Sequence, residues 1–579
     1  MKKIFLLIII FCFIMSLLNS EPTSFRNQAL GNVIDDDLDL VYDPIDLKFV
    51  SGSRLYTNLS NLVSSNEEFL ANNSSNTFLI GYSTKNPLVE NLWTAFFIEF
   101  QKTKVANSIA IDSDLNGLND LFGNGFLSDE FTGYYDITGD GIYDLLQQIS
   151  QDRSNYDKVN QWELALNNTF DMEKFIVGFK AHYNSNSTNL NNDYNMNYIE
   201  NNIEDNFDYL HISELDEYEN SVDNSDLELM ASIMLLDFRG SELRGDLEFR
   251  NIDHSNNILT NYYSEEDDYD IDITILEDYN ITDNINNNCT ERKGNEIALG
   301  TSIRRTIVKA EARKNEGYWK IGGEISVGSS DYTELDETID SYTENYFDGL
   351  DTLFTDYREI DTETTSTEDS GSQTNTNLGF MAKLNYPFSE KVYFGIGVHY
   401  QYQSLSRKTD FTENFENSYE YEILDEETTF ADYITTESYS IESDRTIEQY
   451  TSIFVVPVGL EYKFTTNQKW DIRFGSIFRS ICHTINDARE IKTATPTTTE
   501  TIYGDGTVEI EIEDNTYNST SEQTQTTSSL TDYYYGLGFR PTQNLQIDLL
   551  GFLGSSSGET DLFSADFYKQ LRLSFTILF

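Results

Sequence analysis

Two short acidic runs have the residue types and spacing to do chemistry. Asp112-Ser113-Asp114-Leu115-Asn116-Gly117-Leu118-Asn119-Asp120 reads D-x-D-x-N-G-x-x-D, and Asp136-Ile137-Thr138-Gly139-Asp140-Gly141-Ile142-Tyr143-Asp144 reads D-x-T-G-D-G-x-x-D. Oxygen ligands at alternate positions, followed by a glycine that lets the chain turn sharply, are what a hard cation such as Ca²⁺ requires. The expected ligands are Asp112, Asp114, Asn116 and Asp120 in the first run, and Asp136, Thr138, Asp140 and Asp144 in the second. The same composition also makes solvated turns that hold no ion. No catalytic constellation stands beside them. His182, His211, His254, His399 and His483 are scattered, and there is no G-x-S-x-G elbow, no H-E-x-x-H and no phosphate-cradling glycine loop. The chain is therefore not expected to be an enzyme, and it requires no cofactor; Ca²⁺ is the ion its sequence invites.

Composition narrows the partners. With 99 acidic against 38 basic residues the net charge is -61, which repels a phosphate backbone and excludes nucleic acid, while cations are the natural counterpart. Aromatic residues make up 13% of the chain and prolines number only 7, so this is not an aromatic-poor disordered acidic chain. Met1-Lys2-Lys3 and the apolar run Ile4 to Leu18 form a signal peptide over residues 1–20. That run is shorter than the roughly 20 residues a spanning helix prefers, and no later segment approaches that length. Beyond the signal peptide, Cys289 and Cys482 are the remaining cysteines, too few for a disulfide framework.

The elements that must position any site are strands. Alternation of apolar and polar residues marks segment after segment, as in Leu243, Gly245, Leu247 and Phe249 against Arg244, Asp246, Glu248 and Arg250. The segments come in pairs joined by short turns, for instance at Gly240-Ser241, Thr465 to Gln468 and Arg540 to Gln543. Between pairs lie long acidic stretches near 104–158, 184–226, 252–293, 330–375, 408–447 and 484–529, expected as outer loops, many continuing as strands because Tyr and Ile recur in them. With a first strand near Leu47 to Leu59, residues 21–579 read as one domain of about 16 strands, within a range of roughly 14–18. Lys180, Arg244, Arg250, Lys383, Lys463, Arg473, Arg479, Arg540 and Arg572 share the polar face, interspersed with Glu163, Asp246, Glu248, Glu461, Asp471 and Asp548, with which most of them are expected to pair. Trp93 falls on that same face, against the pattern of an interfacial belt.

The alternating stretch Leu571 to Phe579, with Phe575 and the terminal Phe579, resembles the closing strand of bacterial outer-membrane β-barrels, which the barrel-assembly machinery reads as an assembly signal. The two Asp-rich runs resemble the calcium loops of EF-hand-like and thrombospondin type 3 repeats, though Gly123 and Gln147 stand where an EF-hand has its closing Glu. The barrel resemblance implies a transmembrane antiparallel up-and-down β-barrel in a Gram-negative-type outer membrane, with short periplasmic turns and long acidic extracellular connections. The nine basic residues of the polar face would then line the lumen. Expected partners are membrane lipid, the assembly machinery, small solutes or cations, and further copies of the chain. A passive porin-like channel for small hydrophilic solutes is the leading expectation, against a surface structural or adhesion barrel whose acidic loops do the work. A TonB-dependent transporter is disfavoured, since little sequence precedes the first strands from which a plug could form.

Overall fold

The structure is a computed structural model. It describes residues 25–50, 52–60, 74–87, 89–106, 109–111, 120–122, 126–135, 145–202, 209–269, 278–310, 313–346, 357–423, 432–464, 469–514, 516–542, 544–555 and 572–578. Residues 1–20, expected as a signal peptide, Phe579 and the side chains of both Asp-rich runs lie outside the described residues, as does the Arg572 side chain.

Among the described residues, nineteen strands share one antiparallel sheet. Three of them, Phe126–Tyr135, Thr497–Tyr503 and Val508–Glu513, only prolong an edge beyond the end of a neighbour, which leaves sixteen in a ring. In chain order these are β1 (Arg54–Ser60), β2 (Ser74–Lys85), β3 (Leu92–Ala106), β4 (Leu145–Asp171), β5 (Phe175–Asn202), β6 (Tyr209–Phe238), β7 (Ser241–Tyr269), β8 (Asp278–Val308), β9 (Gly317–Tyr346), β10 (Tyr357–Pro387), β11 (Val392–Ile423), β12 (Tyr433–Lys463), β13 (Trp470–Ala494), β14 (Thr520–Thr542), β15 (Leu545–Ser555) and β16 (Arg572–Leu578). Each pairs with the next, and β1 pairs with β16 from Arg54 opposite Leu578 to Ser60 opposite Arg572, so the ring closes without a free edge. Phe575 sits in this seam, opposite Thr57 on one side and Ile547 on the other.

Alternation decides which face meets what. On β9 the outward residues run Trp319, Ile321, Ile325 and Val327, then change to Ser329, Asp331 and Thr333. Ile321, Ile325 and Val327 are all exposed, as are Ile233 and Leu235 on β6, Leu299 on β8, and Ile472, Phe474 and Phe478 on β13. Together they form a continuous apolar belt near the short-turn end, a surface that is stable only against lipid. A tilted strand crosses a membrane in roughly 9–11 residues, yet β11 has 32. At ~3.3 Å per residue such a strand reaches about 100 Å. Most of each long strand therefore stands outside the bilayer. The acidic stretches expected as outer loops thus run largely as paired strand, for example Asn184 to Asn201 on β5 against Tyr209 to Asp226 on β6.

Turn chemistry fixes the other end. Arg239 and Gly240 both have positive φ, at 54° and 76°, and make the two-residue turn between β6 and β7, one residue earlier than the turn read from sequence.

The first strand needs a correction. The segment near Leu47 does not begin it: Asp46–Phe49 is a single 3₁₀ turn and β1 starts only at Arg54. The residues before it form α1 (Phe25–Ala29) and α2 (Asp37–Tyr42). Asp36 caps α2, and Asp39 reaches back to accept from the Asp36 amide at 2.7 Å, an acidic version of a capping box. The expectation that too little sequence precedes the strands to form a plug is also corrected, because segment 25–50 is deeply buried against the inner wall.

Candidate functional site

The site is the short-turn mouth of the lumen, where segment 25–50 meets the inner faces of strands from all around the ring. Leu38, Leu40, Val41, Tyr42, Leu47 and Val50 pack on Tyr56, Leu79, Ala95, Phe97 and Ala165, with Trp93 against the same cluster. Ile45 packs on Ile176 and Met234, and on the far side of the ring Phe25 and Ala29 pack on Leu550. Contacts with β1, β4, β5, β12, β13 and β15 at once mean that this segment spans the mouth and closes it. The inward Trp93, which fits no lipid belt, is explained as part of the plug seat.

A row of glycines lets the plug come close. Gly395, Gly459 and Gly475 stand opposite one another across β11, β12 and β13. A β-carbon at any of them would overlap the plug: Val33 and Ile34 at Gly395, the Leu30 carbonyl at Gly459, and the Leu30–Gly31 peptide at Gly475. The plug backbone therefore lies on bare wall here.

Around this apolar contact runs a set of ion pairs. Arg26 makes a bidentate pair with Glu461, at 2.7 and 3.0 Å, and both side chains are almost fully buried. Arg473 donates to the same Glu461 at 3.0 Å and also engages Asp471 and Asp548, while Arg540 reaches Asp471 at 3.2 Å. Lys383 holds Asp35 at 2.6 Å, Arg244 holds Asp43, Arg313 holds Asp46 at 2.8 Å, and Asp171 takes Lys48 at 2.6 Å. Asn167 donates to the Val41 and Tyr42 carbonyls at 3.0 and 2.7 Å, satisfying the end of α2. Burial by itself would raise the Asp35 carboxyl, but Lys383 and a hydrogen bond from Tyr318 hold it well below the usual carboxylate range. For Asp43 burial is likewise outweighed, chiefly by Arg244, and its pKa falls to about 2.

The basic residues read as lumen-lining divide by height. Arg244, Lys383, Arg473 and Arg540 belong to the plug seat; Lys463 lies over the Tyr393 ring, 4.4 Å from its centroid, beside that seat. Lys180 stands 4.4 Å over the Tyr42 ring of the plug and pairs with Glu228. Arg250 and Arg479 pair with Asp226 and Asp532 across neighbouring strands, both at 2.8 Å, higher on the wall. Asp246 pairs with Arg244 two residues along the same strand, not across strands.

The plug partners were missed in sequence, although a signal existed. Phe96-Phe97-Ile98, Phe175-Ile176-Val177 and Ile233-Met234-Leu235-Leu236 are apolar on both parities. A barrel strand with lipid outside and water inside does not need that. Runs apolar on both faces of a strand imply apolar matter within the lumen.

No protein-family model and no curated protein matches the chain. Among solved structures it is similar to a ferric enterobactin receptor from Pseudomonas aeruginosa, with 9% identity over 92% of this chain and 80% of that one and a TM-score of 0.26. It is also similar to the ferric yersiniabactin uptake receptor FyuA from Yersinia pestis (11% identity, 91% and 80% covered, TM-score 0.24) and to a Pseudomonas aeruginosa FadL homologue (9% identity, 98% and 100% covered, TM-score 0.27). The barrel itself is established by its own strand pairing and apolar belt. The chain is an outer-membrane β-barrel with a ring of sixteen strands, closed at its short-turn mouth by its own N-terminal segment.

Proposed function

We propose that the protein is a transport barrel through whose lumen small hydrophilic solutes pass, and that the N-terminal plug controls that passage at the short-turn mouth. The plug carries the reading. A barrel whose wall alone did the work would need no seat of this kind. The seat is also built to come apart: beside its apolar patches it relies on ion pairs whose members regain water on release. Inward-facing Glu324 and His399 on the membrane-spanning wall are exposed, which is consistent with a watery space beside the plug. Planar-bilayer conductance tests the proposal. The full chain is expected to conduct little, and a chain lacking residues 25–50, shown to be folded by its heat-modifiable migration, many times more. Equal conductance from the two would sink it.

One observation favours a second reading, a surface structural or adhesion barrel. The hairpin Thr497–Tyr503 and Val508–Glu513 carries Val508, Ile510 and Ile512 at 50%, 59% and 64% exposure, far from any lipid. If adhesion is the work, deleting 497–513 would abolish attachment of cells to surfaces and leave conductance unchanged.

A further inference from the structure

Within the lumen a cavity of about 320 Å³ adjoins the plug. Its lining includes Asp43 of the plug and Arg244, Asp246, Glu248, Lys320 and Glu324 of the wall. Among the described residues, three of these make no hydrogen bond or ion pair. Glu248 is 3% exposed, and its Oε1 has no hydrogen-bond partner. Among the described residues, Glu324 and Lys320 likewise take part in no hydrogen bond or ion pair. The plug carboxylates nearest Lys320 are already engaged, Asp43 by Arg244, Asp46 by Arg313 and Asp35 by Lys383.

The spare charges are kept apart by geometry. Lys320 and Glu324 share the inward face of β9, with Gly322 between them. Four residues of strand separate their α-carbons by ~13 Å. Across the ladder, Gly300 on β8 stands between Asp246 and Glu324, and Gly379 on β10 stands on the other side of Glu324. The wall is therefore hollow between a lone ammonium toward the short-turn end and lone carboxylates farther out. A buried charge without a partner is costly. Of the three groups Glu248 alone is buried, with Lys320 half-buried and Glu324 exposed; an ammonium and carboxyl groups that face one hollow and do not meet outline what would engage both.

We infer that this cavity is a binding site for a small zwitterion with a separated amine and carboxylate, the amine received by Glu248 and Glu324 and the carboxylate by Lys320. The inference rests on the transport reading and names the class of solute held before the plug. Asp43 links the two, because it belongs to the plug, lines the cavity and is tied to Arg244 in the same wall. A solute carboxylate arriving beside Lys320 and Arg244 would compete with Asp43 for positive charge.

Calorimetric titration of the purified full-length protein in detergent tests this without any conductance measurement, so it fails separately from the transport proposal. The probes are 6-aminohexanoate, hexylamine and hexanoate, with magnesium at equal ionic strength as the control for a diffuse cation cloud. The zwitterion is expected to bind at least tenfold more tightly than either half-probe. Glu248→Gln and Lys320→Met should each weaken it by a similar factor. Gly300→Val, which fills the hollow without changing a charge, should do the same even if the charge variants fold poorly. Hexylamine binding as tightly as the zwitterion, heat from magnesium of equal size, or no binding of 6-aminohexanoate would each overturn the inference.

Discussion

The membrane end of this barrel and its outer part share one continuous hydrogen-bonded ladder and follow opposite side-chain rules. Around the belt, outward positions are Leu, Ile, Val and Phe, and inward positions are charges and glycines fitted against the plug. Farther out, both faces are wet. On β9, outward Asp331 and Thr333 back onto inward Tyr332 and Glu334. What holds the outer wall is local: Tyr332 donates to Glu334 at 2.6 Å, Arg445 bridges Asp369 and Asp487 at 3.2 and 2.8 Å, and Tyr346, Tyr357, Tyr421 and Tyr433 stack in a ladder across four strands with centroids 5.5–5.8 Å apart. The lesson is that backbone pairing sets the cylinder, while the surrounding solvent sets what the cylinder wears.

The largest effect should come from the closing seam, which both regions depend on. Replacing Phe575 and Phe579 together by Ser is expected to abolish assembly, read as loss of heat-modifiable migration and of membrane fractionation. Wild-type behaviour of the double variant would show that the C-terminal strand is no assembly signal. Next come paired substitutions that set the two regions against each other. Leu299→Arg places a charge in the belt and should cost roughly 2–4 kcal/mol, whereas Leu335→Arg, equally exposed but outside the belt, should stay within about 0.5 kcal/mol. Urea titration of the folded barrel in lipid vesicles measures both, and equal losses would erase the distinction.

A smaller effect concerns acid. Asp35 and Asp43 are held below their usual pKa, so their contribution to seating the plug is fully present above a free carboxyl's pKa of about 4 and is lost as pH falls toward about 2. Conductance should therefore be flat from pH 7 to 5 and rise only below about 4. A rise already at pH 6 would assign control to another group. The smallest effect is expected at the Asp-rich runs, which the sequence alone suggests as Ca²⁺ ligands in an outer loop. Calcium, more than magnesium at equal ionic strength, should protect residues 106–160 from protease, and Asp114→Ala with Asp140→Ala should remove the difference. Equal protection by both ions would leave only an acidic surface.

Trp93 shows where reading a sequence strand by strand stops. Its inward parity is visible, yet without the plug it has no explanation, and with the plug it is a seat residue. The glycine row is similar. Gly395, Gly459 and Gly475 are unremarkable one at a time and become a groove only when register places them opposite one another. The sequence by itself determined the cylinder, because period-two alternation is local and lipid imposes it on one strand after another, so the barrel and its near-sixteen strands were legible before any pairing was known. The tertiary structure alone decided that segment 25–50 folds inward as a plug, that Lys383 and Arg244 hold it, and that Glu248, Glu324 and Lys320 face one hollow unpaired. Those are meetings between residues tens to hundreds of positions apart. They depend on ring closure and register, which no local pattern in the chain encodes.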